Sequence, residues 1–427
     1  MSTMQTSTDS ATCTDSACSE FGALSRRGFL RGSLGVAAAA TTATYGTAFV
    51  QTAYAATRSA PAVLVLLSLR GACDGLSLVV PHADPVYYQA RPNIAVPSEK
   101  LLAKDGMFGL HPMLAPLLPM WNAGRMAAVH ATGLPIPNRS HFAAMEQLED
   151  ADPGSSARVG WLNRLIGRDS YSNPLQAIQI GSAVTPTSLY GPHQTAATRT
   201  IDSSTLAGQD HDTLGAARAN SLQTVWAGVG GVLGSGARAS LQVVSDFAPV
   251  RATSETPANG AAYPNGDLGT ALAAAARTIR GDVGAEVITV DHGSWDMHTG
   301  LGTLGWGDMI HRTDELAKAL AAFFTDLGSL GSKVTVVTLS EFGRRVKENA
   351  NNGLDHGHGS VMFLLGAGVK GGSYYGQWPG LTNTSDADLL VTRDYRSVLG
   401  EVVSKRFGAS TAQVFPGVSL EQIGVMA

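Results

Sequence analysis

Residues 353–360 read GLDHGHGS, an aspartate and two histidines separated by little more than glycine. Carboxylate and imidazole donors of this kind suit a divalent metal, whether zinc, manganese, iron, magnesium or calcium. Further groups able to join them recur along the chain. RGACDGL carries Asp74, and NRSHF carries Ser140 and His141. DHGSWDMH carries Asp291, His292, Asp296 and His298, and SEFGRR carries Glu341 and Arg344. A pair of metal ions about 4 Å apart can clamp the attacking and leaving oxygens of phosphoryl or sulfuryl transfer. Ser140 opens an expected helix, SHFAAMEQLED. A hydroxyl there faces backbone N–H groups and the positive end of the helix dipole, which favours an anionic substrate and suits a nucleophile. Each piece also has a plainer reading. Asp74-Gly75 is a common turn pair, Ser140 is a good helix cap in any context, and His356 and His358 could lie in a solvent loop.

These groups need elements to position them. Short unbroken apolar runs recur at 62–69, 125–133, 285–290, 333–339 and 360–366, and each ends in a polar, glycine-bearing loop. Runs without polar alternation read as strands buried on both faces of a mainly parallel sheet. Helical segments are expected at 267–281 with Asp267 as cap, at 314–328 ending in Gly328, and at 393–408 ending in Gly408. Alternating strand and helix predicts an α/β fold, a mainly parallel sheet sandwiched by helices. In such a sheet, functional groups gather at the carboxyl ends of the strands. The loops carrying Asp74, Ser140, Asp296 and Glu341 fall there. The DHGHG segment lies in the approach to the last strand and would have to fold back along the sheet edge to join them.

Residues 183–262 differ, being polar and poor in apolar residues apart from a helix-like stretch, ANSLQTVWAGVGGVL. They read as an inserted helical and loop region over one end of the sheet, in the manner of a lid. The net charge of −4, with both signs dispersed, argues against a nucleic-acid partner.

The first 55 residues read as a cleavable export signal. Arg26 and Arg27 precede a weakly apolar stretch from Leu34 to Val50 and then Ala53-Tyr54-Ala55. Paired arginines point to the twin-arginine (Tat) export machinery as a partner. The stretch falls short of the ~20 strongly apolar residues a membrane span needs. The expected location is therefore periplasmic or secreted, with no membrane span after cleavage. Cys13 and Cys18 leave with the signal, so Cys73 alone remains and no internal disulfide is expected.

Five segments in order resemble a widespread, largely uncharacterised family of Tat-exported bacterial proteins with a domain of unknown function. They are LRGACDGLSLVVPHADPVYYQARPNIAV (69–96), NRSHFAAMEQLE (138–149), GSWDMH (293–298), LSEFGRRVKENANNGLDHGHGS (339–360) and VKGGSYYGQWPGL (369–381). The family is similar in fold to the alkaline phosphatase/sulfatase superfamily, which implies one such domain over 56–427. By position, the resemblance implies metal-binding roles for Asp74, Asp296, His298 and His356, and places Ser140 where the nucleophile would sit. Glu341 falls where the phosphatases carry an adjacent Asp-His pair. That departure, and the close spacing of Asp296 and His298, leaves room for a single metal. The sulfatase signature C-x-[PA]-x-R is absent, since Cys73 is followed by DGLS.

The resulting expectation is an exported metal-dependent hydrolase of small phosphate or sulfate esters. Metal would be held by Asp74, Asp296, His298, Glu341 and His356, with Ser140 attacking and Arg344 binding the anion. The alternative is a catalytically degenerate scaffold that binds a partner or polymer at the cell envelope.

Overall fold

The apolar runs form strands because their residues can be buried on both faces. A computed structural model of the chain describes residues 54–152, 155–208 and 214–427. The strands of its main sheet are β1 Val63–Leu69, β2 Met126–Gly133, β3 Ala177–Ile180, β4 Ala196–Thr198, β5 Val287–His292, β6 Val334–Leu339, β7 Ser360–Gly366, β8 Tyr374–Tyr375 and β9 Arg393–Asp394. The order is β8-β2-β7-β6-β1-β5-β3-β4, with β9 also pairing β2. Helices α1 His141–Asp150, α2 Gly215–Ala227, α3 Gly231–Asp246, α4 Asp267–Arg280, α5 Asp308–Leu327 and α6 Tyr395–Phe407 accompany it. The molecule is therefore an α/β protein with a mostly parallel sheet between helices, as the sequence predicts.

Strand β1 shows how the layers are made. Successive side chains point to opposite faces. Val63, Val65, Leu67 and Leu69 share one core with Leu272 of α4 and with Leu316 and Phe323 of α5. Leu64 and Leu66 share the other with Leu148 of α1 and with Tyr395, Val398 and Val402 of α6. Each large apolar side chain buried in this way contributes about 1.5–3 kcal/mol relative to exposure. A period of two along one strand thus fixes a helical layer on each face.

One strand runs against the rest. Strand β7 is antiparallel to β2, with Thr132 opposite Ser360 and Met126 opposite Leu365, and antiparallel to β6 as well. Its first residue therefore lies at the end of the sheet where its neighbours finish. The DHGHG segment before it is delivered directly to the carboxyl ends of the parallel strands, and no fold-back along the sheet edge is needed.

Smaller differences have local causes. Asp267 is the first helical residue of α4, and Gly266 occupies the cap. Helix α5 starts six residues before the expected Asp314. The expected helix over 219–233 is broken at Gly228-Val229-Gly230 into α2 and α3, because glycines in a helix interior cost ~1 kcal/mol each. The 183–262 region is also more than an appendage, since it supplies β4 at the sheet edge. A cavity of about 610 Å³ lies between β4 and α3, lined in part by Arg199, Ser204 and Ser240.

The arginine pair and apolar stretch of the expected export signal lie outside the described residues. Of its expected cleavage site, Tyr54 and Ala55 are described, and the Ala55 N–H donates to the Ser172 carbonyl at 2.9 Å. Among the described residues no helix is long and apolar enough to cross a membrane.

Candidate metal centre

Four loops meet at the carboxyl ends of β1, β2, β5 and β6, joined by the segment entering β7. Close approach of these loops depends on glycine, as at Gly71 and Gly357. Gly71, after β1, has φ +112°, and a Cβ there would stand 2.5 Å from the backbone nitrogen of Asp296. Gly357 packs on the backbone of Arg344, where a Cβ would meet the carbonyl carbon at 2.3 Å. Backbone bonds from Gly343 N to His358 O and from Gly357 N to Gly343 O, both 2.8 Å, hold the DHGHG segment against the loop after β6.

Arg344 is the clamp at the centre of these loops. It is 1% exposed. Its Nε donates to Ala72 O at 2.7 Å, Nη1 to Leu354 O at 2.9 Å, and Nη2 to Gly71 O at 2.5 Å and to Asp296 Oδ1 at 2.6 Å. Burial pushes the Asp296 carboxyl up, but the hydrogen bond and charge of Arg344 outweigh it and hold the group below its ordinary range.

Three imidazoles converge beside Asp296. His141 Nε2 lies 2.9 Å from His356 Nε2, and His298 Nε2 lies 2.9 Å from the same atom. Asp296 Oδ1 stands 3.1 Å from His298 Nε2 and 3.5 Å from His356 Nε2, and Asp296 Oδ2 stands 3.6 Å from His141 Nε2. One ligand atom each from His141, Asp296 and His356 lies within 4.8 Å of the others.

The other ring nitrogens bear on what these Nε2 atoms present. His141 Nδ1 faces Glu341 Oε1 at 2.8 Å, His298 Nδ1 faces Asp355 Oδ1 at 3.2 Å, and His356 Nδ1 faces the Arg139 carbonyl at 2.9 Å. Ionised carboxylates and carbonyls only accept, so a neutral ring with its proton on Nδ1 satisfies the outer contact of all three histidines. In that tautomer the Nε2 atoms of His141 and His298 each turn a lone pair toward His356 Nε2. Burial and the neighbouring Arg344 charge keep His356 below the usual imidazole range, which favours that neutral form. Lone pairs 2.9 Å apart repel. A cation among them turns that repulsion into coordination, and outer acceptors on the far nitrogens are the habitual support of metal-binding histidines.

The sequence-predicted residues divide accordingly. Asp296, His298 and His356 converge, and His141 joins them. Glu341 supports His141 from behind, with its other oxygen accepting from Ser340 Oγ at 3.3 Å. Asp74 is outside the cluster. Its two oxygens accept from Arg91 at 2.6 and 3.0 Å, and it caps a short turn by accepting from Ser77 N. Ser140 is exposed, caps α1 by position, and makes no side-chain capping bond. His358 is buried, and its Nε2 donates to Leu134 O at 2.7 Å, tying the loop after β2 in place. Asp291 pairs with Arg70, and His292 with Glu315. Asp355 carried no special signal beyond its place beside His356, and His141 none beyond its place beside Ser140. None of the residues lining the cavity between β4 and α3 belongs to the cluster.

Fold and site together define an α/β sandwich with a histidine–carboxylate cluster at the carboxyl ends of its parallel strands. Residues 121–400 match the family described as "Protein of unknown function (DUF1501)", and the chain belongs to that family. No curated protein matches it.

Proposed function

We propose that the chain is an exported, metal-dependent hydrolase of phosphate or sulfate esters, built on an alkaline-phosphatase-like scaffold. The observation that carries this reading is the common aim of the His141, His298 and His356 Nε2 atoms beside Asp296, with every Nδ1 held by an outer acceptor. His141, His356 and Asp296 form a three-donor set suited to a single ion, with His298 beside it and zinc the best fit by ligand type. When bound, such an ion polarises an ester oxygen. Ser140, adjacent to His141 at the N-terminus of α1 and free of a capping bond, is the nucleophile in this reading. Arg344 has its donors committed to protein acceptors, so its role here is to position Asp296. The Tat-type signal and the periplasmic or secreted location belong to the same proposal and rest on Arg26, Arg27 and the apolar stretch after them.

The test is elemental analysis of protein purified without chelators, followed by a screen of phosphate and sulfate esters. The expected result is about one equivalent of divalent metal per chain, lost in His356→Ala, with ester cleavage lost in Ser140→Ala. One observation favours the alternative of a non-catalytic envelope-binding scaffold: no side-chain base hydrogen-bonds Ser140 among the described residues. Absence of metal, with Asp296 and His298 replaceable at no cost to folding, would establish that alternative instead.

A further inference from the structure

Three large apolar residues are exposed on the segments beside the cluster, a site expected to hold an anion. Phe142 follows His141 in the first turn of α1 and is 92% exposed. Ile136, in the loop between β2 and α1, is 76% exposed, and Leu390 is 61% exposed. These residues lie on adjoining segments of the chain. Residues 386–392 run beside 131–139, joined by Thr392 N to Ala131 O at 2.9 Å and by the Arg139–Asp388 ion pair. The same segment touches the DHGHG strand entry through Gly359 N to Leu389 O at 2.8 Å. The Arg139 carbonyl in turn holds His356 Nδ1. Three large, exposed apolar side chains thus sit on the segments that flank His141 and His356. Isolated exposed apolar residues are ordinary, but several on adjoining loops at a polar site mark a binding surface.

We infer that these segments form a rim that receives an apolar alkyl group, so that the favoured substrates are phosphate or sulfate monoesters of hydrophobic alcohols. The inference rests on the proposed hydrolase reading for the identity of the anionic end. The polar end enters toward Asp296 and the imidazoles, beside Ser140 and Arg139. The chain lies outward across Phe142, Ile136 and Leu390. Hydrolysis breaks the P–O or S–O bond, with water supplying the oxygen to the anion and a proton to the departing alcohol. The rim sets which alcohol is accepted and touches no reacting atom.

The experiment titrates the full chain, as purified and after zinc loading, with ethyl-, butyl- and octylphosphonate by calorimetry. Alkyl burial at the rim predicts affinity rising about tenfold or more from ethyl to octyl. The rise should vanish in a combined Ile136→Ser, Phe142→Ser, Leu390→Ser variant whose metal content matches the parent. All three side chains are exposed, so the variant is expected to fold. Affinity independent of chain length, or an undiminished rise in the variant, would overturn the inference. Release of phosphate or sulfate from the matching alkyl esters reports separately on the hydrolase. Chain-dependent binding with no release rejects the hydrolase and keeps the rim, whereas release with no chain preference rejects the rim and keeps the hydrolase.

Discussion

His141 Nδ1 meets Glu341 Oε1 at 2.8 Å, and the same oxygen accepts the Gly71 backbone N–H at 2.8 Å. The carboxylate therefore orients the imidazole and also ties the β1 loop to the β6 loop. In metalloproteins a group so placed tunes a ligand without touching the ion, and its loss typically costs about 10–100-fold in metal affinity. Glu341→Gln keeps the shape and a carbonyl acceptor but removes the charge. It should weaken metal binding by roughly tenfold, while His141→Ala abolishes it. Competition with a chelator of known affinity measures both, and equal affinities in parent and Glu341→Gln would remove Glu341 from the supporting role.

Asp74 has a different expected signature. Arg91 is fully buried against it and also donates to the carbonyls of Val346 and Arg345. Burial alone would raise the Asp74 carboxyl, but the Arg91 charge prevails and holds it below its ordinary value. Removing one partner of a buried pair leaves an uncompensated charge and costs about 3–5 kcal/mol. Asp74→Asn should lower the urea midpoint accordingly and leave metal content at the parent level. Metal lost in a variant that unfolds like the parent would instead make Asp74 a ligand.

Replacing Arg344 should damage fold and site together. Arg344→Met strands the carbonyls of Gly71, Ala72 and Leu354 and frees Asp296. Unpaired buried acceptors cost about 1–3 kcal/mol each, so a loss of several kcal/mol is expected together with weaker metal binding. Arg344→Lys cannot reproduce the fork and should recover little of either. Full recovery by lysine in chemical denaturation would show that charge alone, without the guanidinium geometry, suffices.

The sequence made five of the nine strands legible because burial on both faces leaves an unbroken apolar run, as in VLVLLSL of β1; the shorter β3, β4, β8 and β9 carry no such run. It left strand direction illegible. SVMFLLG is buried throughout and would read the same whether parallel or antiparallel, so the route of the DHGHG segment to the site emerges only from the pairing of Thr132 with Ser360. Asp296, His298 and His356 were recognisable as donors by type and spacing. Which carboxylates stand inside and which behind was not recognisable, because Glu341 and Asp74 differ only in partners brought from distant positions, His141 and Arg91. Arg91 lies in QARPN with no feature that announces a buried guanidinium. The glycines at 228 and 230 were visible in the sequence, but their cost alone did not locate the break, since α3 carries Gly234 and Gly236 within it.

Acid sensitivity should arise in part away from the histidine–carboxylate cluster. His111 is buried, its Nδ1 accepts the Met113 N–H at 3.1 Å, and burial pulls its pKa from the usual 6.5 down to about 4. A protonated ring has no lone pair for that bond. Because the folded value lies below the unfolded one, the unfolded chain takes up the proton first as pH falls. The associated stability is complete above pH ~6.5, declines between ~6.5 and ~4, and changes no further below that, for a total of about 3 kcal/mol. His130, drawn to about 4 chiefly by burial, adds a similar decline. His111→Asn retains a side-chain acceptor for the Met113 N–H but does not titrate in this range. Between pH 7 and 5 the parent should therefore lose about 2 kcal/mol more than the variant. Urea unfolding at both pH values measures the difference, in which His130 and the carboxylates cancel because both proteins share them. Parallel losses would mean that His111 is not neutral in the folded protein.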